Sequence, residues 1–263
     1  MNPLTELFKK KSTKLLSIYI TAGYPKKEST VGIIHSLQDK GVDFIEVGFP
    51  FSDPLADGPV IQQTSQQAIG NGMTLELLLD QLKEAGSDIS VPLLLMGYLN
   101  PVLQMGMEAF CRKAGEAGIS GVILPDLPVE EFEAEHIDLF RSCNLHIIFL
   151  VTPETTSERI RKIDSLSSGF IYAVSSSSTT GRQDSFNREQ TDYLSRLNSM
   201  NLRNPVMTGF GIHNSKTLQA VWEHTSGAII GTAYLKALMK STSEKQAIDL
   251  LFAQLGIDTC NGK

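Results

Sequence analysis

The sequence predicts a (β/α)8 TIM barrel preceded by an additional N-terminal helix, and three observations carry that prediction. Eight short apolar, β-branched segments recur along the 263 residues. Each reads as a near-continuous apolar run, the pattern of parallel strands covered on both faces. Helical patterns alternate with them, and no Pro/Gly/Ser-rich linker or low-complexity stretch interrupts the series, so a single domain over residues 1–263 is expected. An open doubly wound sheet would need fewer strands, and no G-x-G-x-x-G follows the first one.

The elements follow in order. Leu4, Leu7 and Phe8 lie on one side of a short amphipathic stretch, and "KKKSTK" at 9–14 is its exposed basic end. The first strand is "LSIYITAG", followed by "STVGIIHSLQDKG", which carries Val31, Ile34 and Leu37 at helical spacing and stops at Gly41. "DFIEVGFP" is the second strand. A long loop separates it from the helix "VIQQTSQQAIG", which begins near residue 60, and a further helix, "TLELLLDQLKEAG", opens at Thr74 as N-cap and stops at Gly86. "VPLLLMGY", "GVILPD" and "HIIFLV" are strands three to five, spaced by the helices "MEAFCRKAGEAG" and "EEFEAEHIDLFRSCN". After the sixth strand, "GFIYAVS", the run "SSSSTTGR" reads as a flexible βα loop, and "PVMTGFGI" and "GAIIGTA" close the series, with Thr232 expected to cap the helix that follows.

Composition excludes several functions. With 41% hydrophobic and 20% charged residues and a net charge of -6, the chain has no basic stripe for nucleic acid. No apolar run reaches the roughly 20 residues that span a bilayer, and no signal peptide opens the sequence. Cys111, Cys143 and Cys260 lack metal-like or CxxC spacing, so a cytoplasmic location is expected. The five histidines show no ligand spacing, and neither a G-x-S-x-G elbow nor a Walker A loop is present. No metal is expected.

Barrel active sites form at the C-terminal ends of the strands. Within "FIEVGFPFSDPLADGP", alternation turns Ile45 and Val47 to the helices and Phe44, Glu46 and Gly48 to the interior. A carboxyl group among apolar neighbours has its ionised form disfavoured, which suits a general acid/base, although pairing with a buried cation would also account for Glu46. Asp53 and Asp57 fit turn chemistry as well as ligand binding. The glycines of "TGFGI" and "GTA", with the helix N-terminus after them, suit an anion such as phosphate.

In order and spacing, "IEVGFPFSDPLADGPVIQ", "LLLMGYLNPV", "GVILPDLPVEE", the "TTG" at 179–181, "TGFGI" and "GTA" resemble the tryptophan synthase alpha chain family, from about residue 15 to 240. The resemblance implies retro-aldol cleavage of indole-3-glycerol phosphate to indole and glyceraldehyde 3-phosphate. It also implies an alpha2-beta2 complex with a beta chain, the beta chain alone carrying pyridoxal phosphate. It puts the catalytic roles on Glu46 and Asp57, and indole and glycerol contacts on Tyr19, Met96, Tyr98, Ile123, Pro125, Leu150, Tyr172 and Thr180. Phosphate falls on Gly181, Phe210, Gly211, Gly231 and Thr232. The "SSSSTTGR" loop departs from the family's usual arginine-and-glycine pattern. Two alternatives are a non-catalytic activating subunit and another phosphate-binding barrel isomerase or lyase.

Overall fold

A computed structural model describes residues 1–174, 185–209 and 211–257. Its sheet runs β1 Leu15–Thr21, β2 Phe44–Gly48, β3 Leu93–Met96, β4 Ile119–Ile123, β5 His146–Ile148, β6 Leu150–Val151, β7 Ile171–Val174, β8 Val206–Gly209 and β9 Gly227–Ile230. All paired neighbours are parallel, and β1 sits between β2 and β9. Nine strands make an eight-fold barrel because β5 and β6 are two halves of one strand interrupted at Phe149. The first half pairs with β4 and the second with β7, and backbone bonds from Tyr172 N to Phe149 O (3.0 Å) and from Ser168 N to Ile147 O (3.0 Å) carry the closure across the break.

Helices join the strands. α1 spans Pro3–Lys10 and α2 Ser29–Asp39; α3 (Pro59–Gly70) and α4 (Leu75–Ala85) follow β2. α5 (Leu99–Met105) and α6 (Met107–Glu116) follow β3, and α7 (Val129–Glu131) passes through a π-helical turn into α8 (Ile137–Ser142). α9 is Ser157–Leu166, α10 Arg188–Ser199, α11 Ser215–His224, α12 Thr232–Lys240 and α13 Glu244–Leu255. The Thr74 hydroxyl accepts from Leu77 N (3.1 Å), the capping bond its sequence predicts.

Each strand feeds two apolar layers, which is why its sequence shows no polar alternation. Ile45, Val47, Leu95, Val122 and Ala173 pack outward in the layer shared with the helices, while Phe44, Leu94, Ile123, Ile148, Tyr172, Met207 and Ile229 fill the interior. α1 closes the N-terminal end of that interior. Leu4 is completely buried, and Phe8 meets Phe44 and Phe170 at ring separations of 6.4 and 6.1 Å. Asn2 caps the helix by accepting from Leu4 N (2.9 Å), and its amide donates to the carbonyls of Ser120 (2.8 Å) and Asn144 (2.7 Å). The Thr5 hydroxyl lies 2.8 Å from His146 Nε2, and Lys11 pairs with Asp43 at 2.7 Å.

Candidate active site

The opposite end of the barrel is built from β1, β2 and the segments after β2, β3 and β4. In the β1–β2 register Tyr19 stands beside Glu46 and Thr21 beside Gly48. Gly48 is required by close approach: a Cβ there would lie 2.1 Å from the Tyr19 hydroxyl oxygen. Gly209 does the same for Tyr172, whose hydroxyl would be 2.3 Å away. Two phenols thus lean across the strand ends over positions that have no side chain.

Glu46 is fully buried, and neither carboxyl oxygen has a hydrogen-bond partner. Removal from water disfavours its charged form and pushes its pKa up to about 8. Among the described residues no cation pairs with Glu46. Asp57, half-buried, is pushed up to about 6 for the same reason. Burial also raises Tyr19 and Tyr172 far above the ordinary tyrosine range, with Glu46 and Asp57 adding to the effect, so both phenols remain neutral. Tyr98 rises to about 12 through burial and the nearby Asp57.

Tertiary contacts separate the two loop aspartates that turn chemistry leaves equivalent. Ala56 N donates to the Tyr98 hydroxyl (3.0 Å), Asp57 N to Pro54 O (3.0 Å), and the Gln62 amide to Asp57 O (2.9 Å). These bonds turn Asp57 into a pocket that it lines with Tyr19, Phe49, Phe51, Met96, Tyr98 and Pro125. Asp53 is exposed, with the Ser52 hydroxyl donating to its carboxylate. Phe51, which the sequence reading passed over, has its ring 5.3 Å from that of Tyr98; its only signal was its place inside the long "FPFSDPLADGP" loop.

Ile123 continues the interior wall in register with Met96, and Leu150 is in register with Tyr172. Leu150 also lines a neighbouring groove with Pro125. On the far side of Tyr19, a Cβ at Gly231 would lie 3.3 Å from the Tyr19 Cβ. Gly231, not Thr232, is the N-cap of α12; Thr232 is the first helical residue, and no side chain caps this end. The expected Thr232 cap is thus corrected, since a glycine with φ -108° and ψ -74° already occupies the cap position and leaves the first amides of α12 open to a ligand. Gly211 has φ +75°, a left-handed conformation suited to glycine. Thr180, Gly181 and Phe210 lie outside the described residues. Among the described residues no group of three or more His, Cys, Asp or Glu side chains is arranged to hold a metal ion, and no helix is long and apolar enough to cross a membrane.

A parallel barrel with a fully buried carboxyl group of raised pKa on β2, a second half-buried one in the loop after it and aromatic rings lining the pocket of the second fits the class of barrel enzymes that work by acid–base chemistry. A family model described as tryptophan synthase alpha chain matches residues 5–256, and the chain belongs to that family. A curated tryptophan synthase alpha chain of Parabacteroides distasonis is 48% identical over 255 residues, covering 97% of this chain and 99% of the relative. Among solved structures, tryptophan synthase subunit alpha from Legionella pneumophila superposes with a TM-score of 0.85 at 33% identity, covering 97% of both chains. A tryptophan synthase complex from Pyrococcus furiosus gives 0.84 at 31% identity, covering 94% of this chain and all of the matched one. The chain is accordingly a lyase of tryptophan biosynthesis, in the family whose activity is cleavage of indole-3-glycerol phosphate.

Proposed function

We propose that Glu46 and Asp57 divide the cleavage of indole-3-glycerol phosphate between them. Glu46, protonated at neutral pH, delivers its proton to indole C3. That step leaves an electron-poor indolenine, and the Asp57 carboxylate stabilises it by accepting from the ring N–H. The C3–C3′ bond then breaks, its electron pair returns to the ring, and the C3′ hydroxyl gives up its proton as glyceraldehyde 3-phosphate forms. Glu46, now ionised, is the base for that proton, and the neutral Tyr172 hydroxyl assists as a hydrogen-bonding group.

The observation that carries this reading is the contrast between two raised carboxyl groups, one near 8 and one near 6: at pH 7 the first holds its proton and the second has lost it. Tyr19, Met96, Tyr98, Ile123, Pro125, Leu150 and Tyr172 contact the substrate's ring and chain. Gly211, Gly231 and Thr232, together with Gly181 and Phe210, bind phosphate by backbone amides at the start of α12. Thr180 contacts the Asp57 loop when the site closes.

The chain works as a single barrel domain in the cytoplasm, passing indole to a pyridoxal-phosphate-containing beta chain in an alpha2-beta2 assembly and carrying no cofactor itself. The test is indole release from indole-3-glycerol phosphate by the purified chain, with and without a beta chain. Release that rises with the partner and vanishes in Glu46→Gln supports the reading. A folded Glu46→Gln variant with wild-type turnover overturns it.

A further inference from the structure

The helix that follows Asp57 has little apolar surface to seat it. The buried side chains of α3 are Thr64, Ser65 and Ala68, with Val60 and Ile61 only partly covered, whereas α4 buries Leu75, Leu78, Leu79 and Leu82. Stabilisation by burial scales with apolar area and has no direction, so it fixes α4 far more firmly than α3. What α3 has in its place is a hydrogen bond. Thr64 Oγ1 lies 2.8 Å from Thr21 Oγ1 on β1, and both residues are buried. Thr64 also donates to the Ile61 carbonyl within α3 (2.9 Å). A hydroxyl has one proton and a carbonyl none, so both contacts are satisfied when Thr64 donates to Ile61 and Thr21 donates to Thr64.

That pair closes a loop. In the register of β1 and β2, Thr21 stands beside Gly48, and Ala22 N donates to Gly48 O (2.8 Å), so the chain leaves β2 next to Thr21. It runs through Asp57, enters α3 at Pro59 and comes back to Thr21 at Thr64. The Asp57 backbone is tied to α3, because the Gln62 amide donates to Asp57 O (2.9 Å) and Gln62 N to Gly58 O (3.0 Å). A shift of α3 against β1 therefore carries Asp57 with it.

We infer that Thr21 and Thr64 are positioning residues for the cleavage: their buried hydroxyl pair closes the loop that carries Asp57 and so holds its carboxylate where the indole N–H is met. This rests on the role given to Asp57 above. Neither threonine lines the pocket around Asp57, so each acts through that residue. Removing the Thr64 hydroxyl leaves the Thr21 proton buried without this acceptor, which favours a displaced α3.

The test is steady-state indole release by wild type, Thr64→Val, Thr64→Ser and Thr21→Val, each also in the Asp57→Asn background, with folding checked by circular dichroism. Valine keeps the shape and loses the hydroxyl. In those variants kcat should fall about tenfold with KM nearly unchanged, because the carboxylate works on an indolenine formed only during the reaction. Thr64→Ser keeps the hydroxyl and should restore turnover. In Asp57→Asn the same valine substitutions should cost nothing further, since the group they position is gone. A general loss of packing would lower both backgrounds alike. Wild-type kcat in either folded valine variant overturns the inference, as does serine no better than valine, or a valine cost that persists without the Asp57 carboxylate. Should Thr64→Val not fold, Thr21→Val carries the comparison. Asp57→Asn with wild-type turnover would instead overturn the reading beneath it.

Discussion

At the N-terminal end of the barrel, Asn2 donates to two carbonyls while capping α1, Thr5 meets His146, and Lys11 meets Asp43. At the C-terminal end, Glu46 is fully buried, and among the described residues neither of its carboxyl oxygens has a hydrogen-bond partner. Polar groups taken out of water ordinarily find partners because an unpaired one costs free energy. At the N-terminal end the groups just named follow that rule, although the Ser120 and Ser167 hydroxyls do not; at the C-terminal end the group that departs from it is a carboxyl, the one whose proton the proposed reaction uses. The same interior, bounded by Phe44 and Tyr172, serves both ends.

The sharpest way to break this comparison is Glu46→Gln. Turnover should fall by about 10² to 10⁴, the contribution of a placed acid or base, while stability to urea is equal or higher, because the amide needs no proton to be buried uncharged. A loss of stability would mean that Glu46 is structural. Asp57→Asn should cost about 10² in kcat/KM and remove the acidic limb near pH 6 expected of wild type; a limb that survives would exclude Asp57 as its source.

Leu4→Ala, at the closed end, should lower the unfolding free energy by about 2–5 kcal/mol with kcat unchanged, read by urea titration and indole release. The pH dependence of stability should follow Glu46. Between pH 4.5 and about 8 the folded state keeps a proton that the unfolded chain has released, so stability falls as pH rises through this window and levels off above it. The fall is on the order of a few kcal/mol at most, and Glu46→Gln should flatten it above about pH 6, leaving the smaller contribution of Asp57 below. The smallest effect is Asn2→Ala, expected to cost about 1–2 kcal/mol through the lost cap and the two unpaired carbonyls, with no change in the pH profile.

The strands were legible because parallel strands covered on both faces need apolar residues at every position, and Glu46 was legible as the acid that violates that need. α5 was not. Its first amide, Leu99 N, is satisfied by the Asp126 carboxylate from the loop after β4 (2.9 and 3.0 Å), a cap supplied 27 residues away that no local pattern announces. The choice of Asp57 over Asp53 has the same origin: both sit in turn-forming sequence, and the Tyr98 hydroxyl on Ala56 sets the orientation. The break at Phe149 follows from closure, since each half of that strand serves a different neighbour. The buried hydroxyl contact between Thr21 and Thr64 also joins residues far apart in sequence, so it emerges only in the fold.

The most direct measurement is the titration of the glutamate side-chain carboxyl carbons by 13C NMR in selectively labelled protein, with Glu46→Gln assigning the signal. A single resonance that titrates near pH 8 and disappears in Glu46→Gln is the expected result. If every glutamate, Glu46 included, titrates in the ordinary range around 4.3, the site holds no protonated acid at neutral pH, and the contrast between the two ends of the barrel fails.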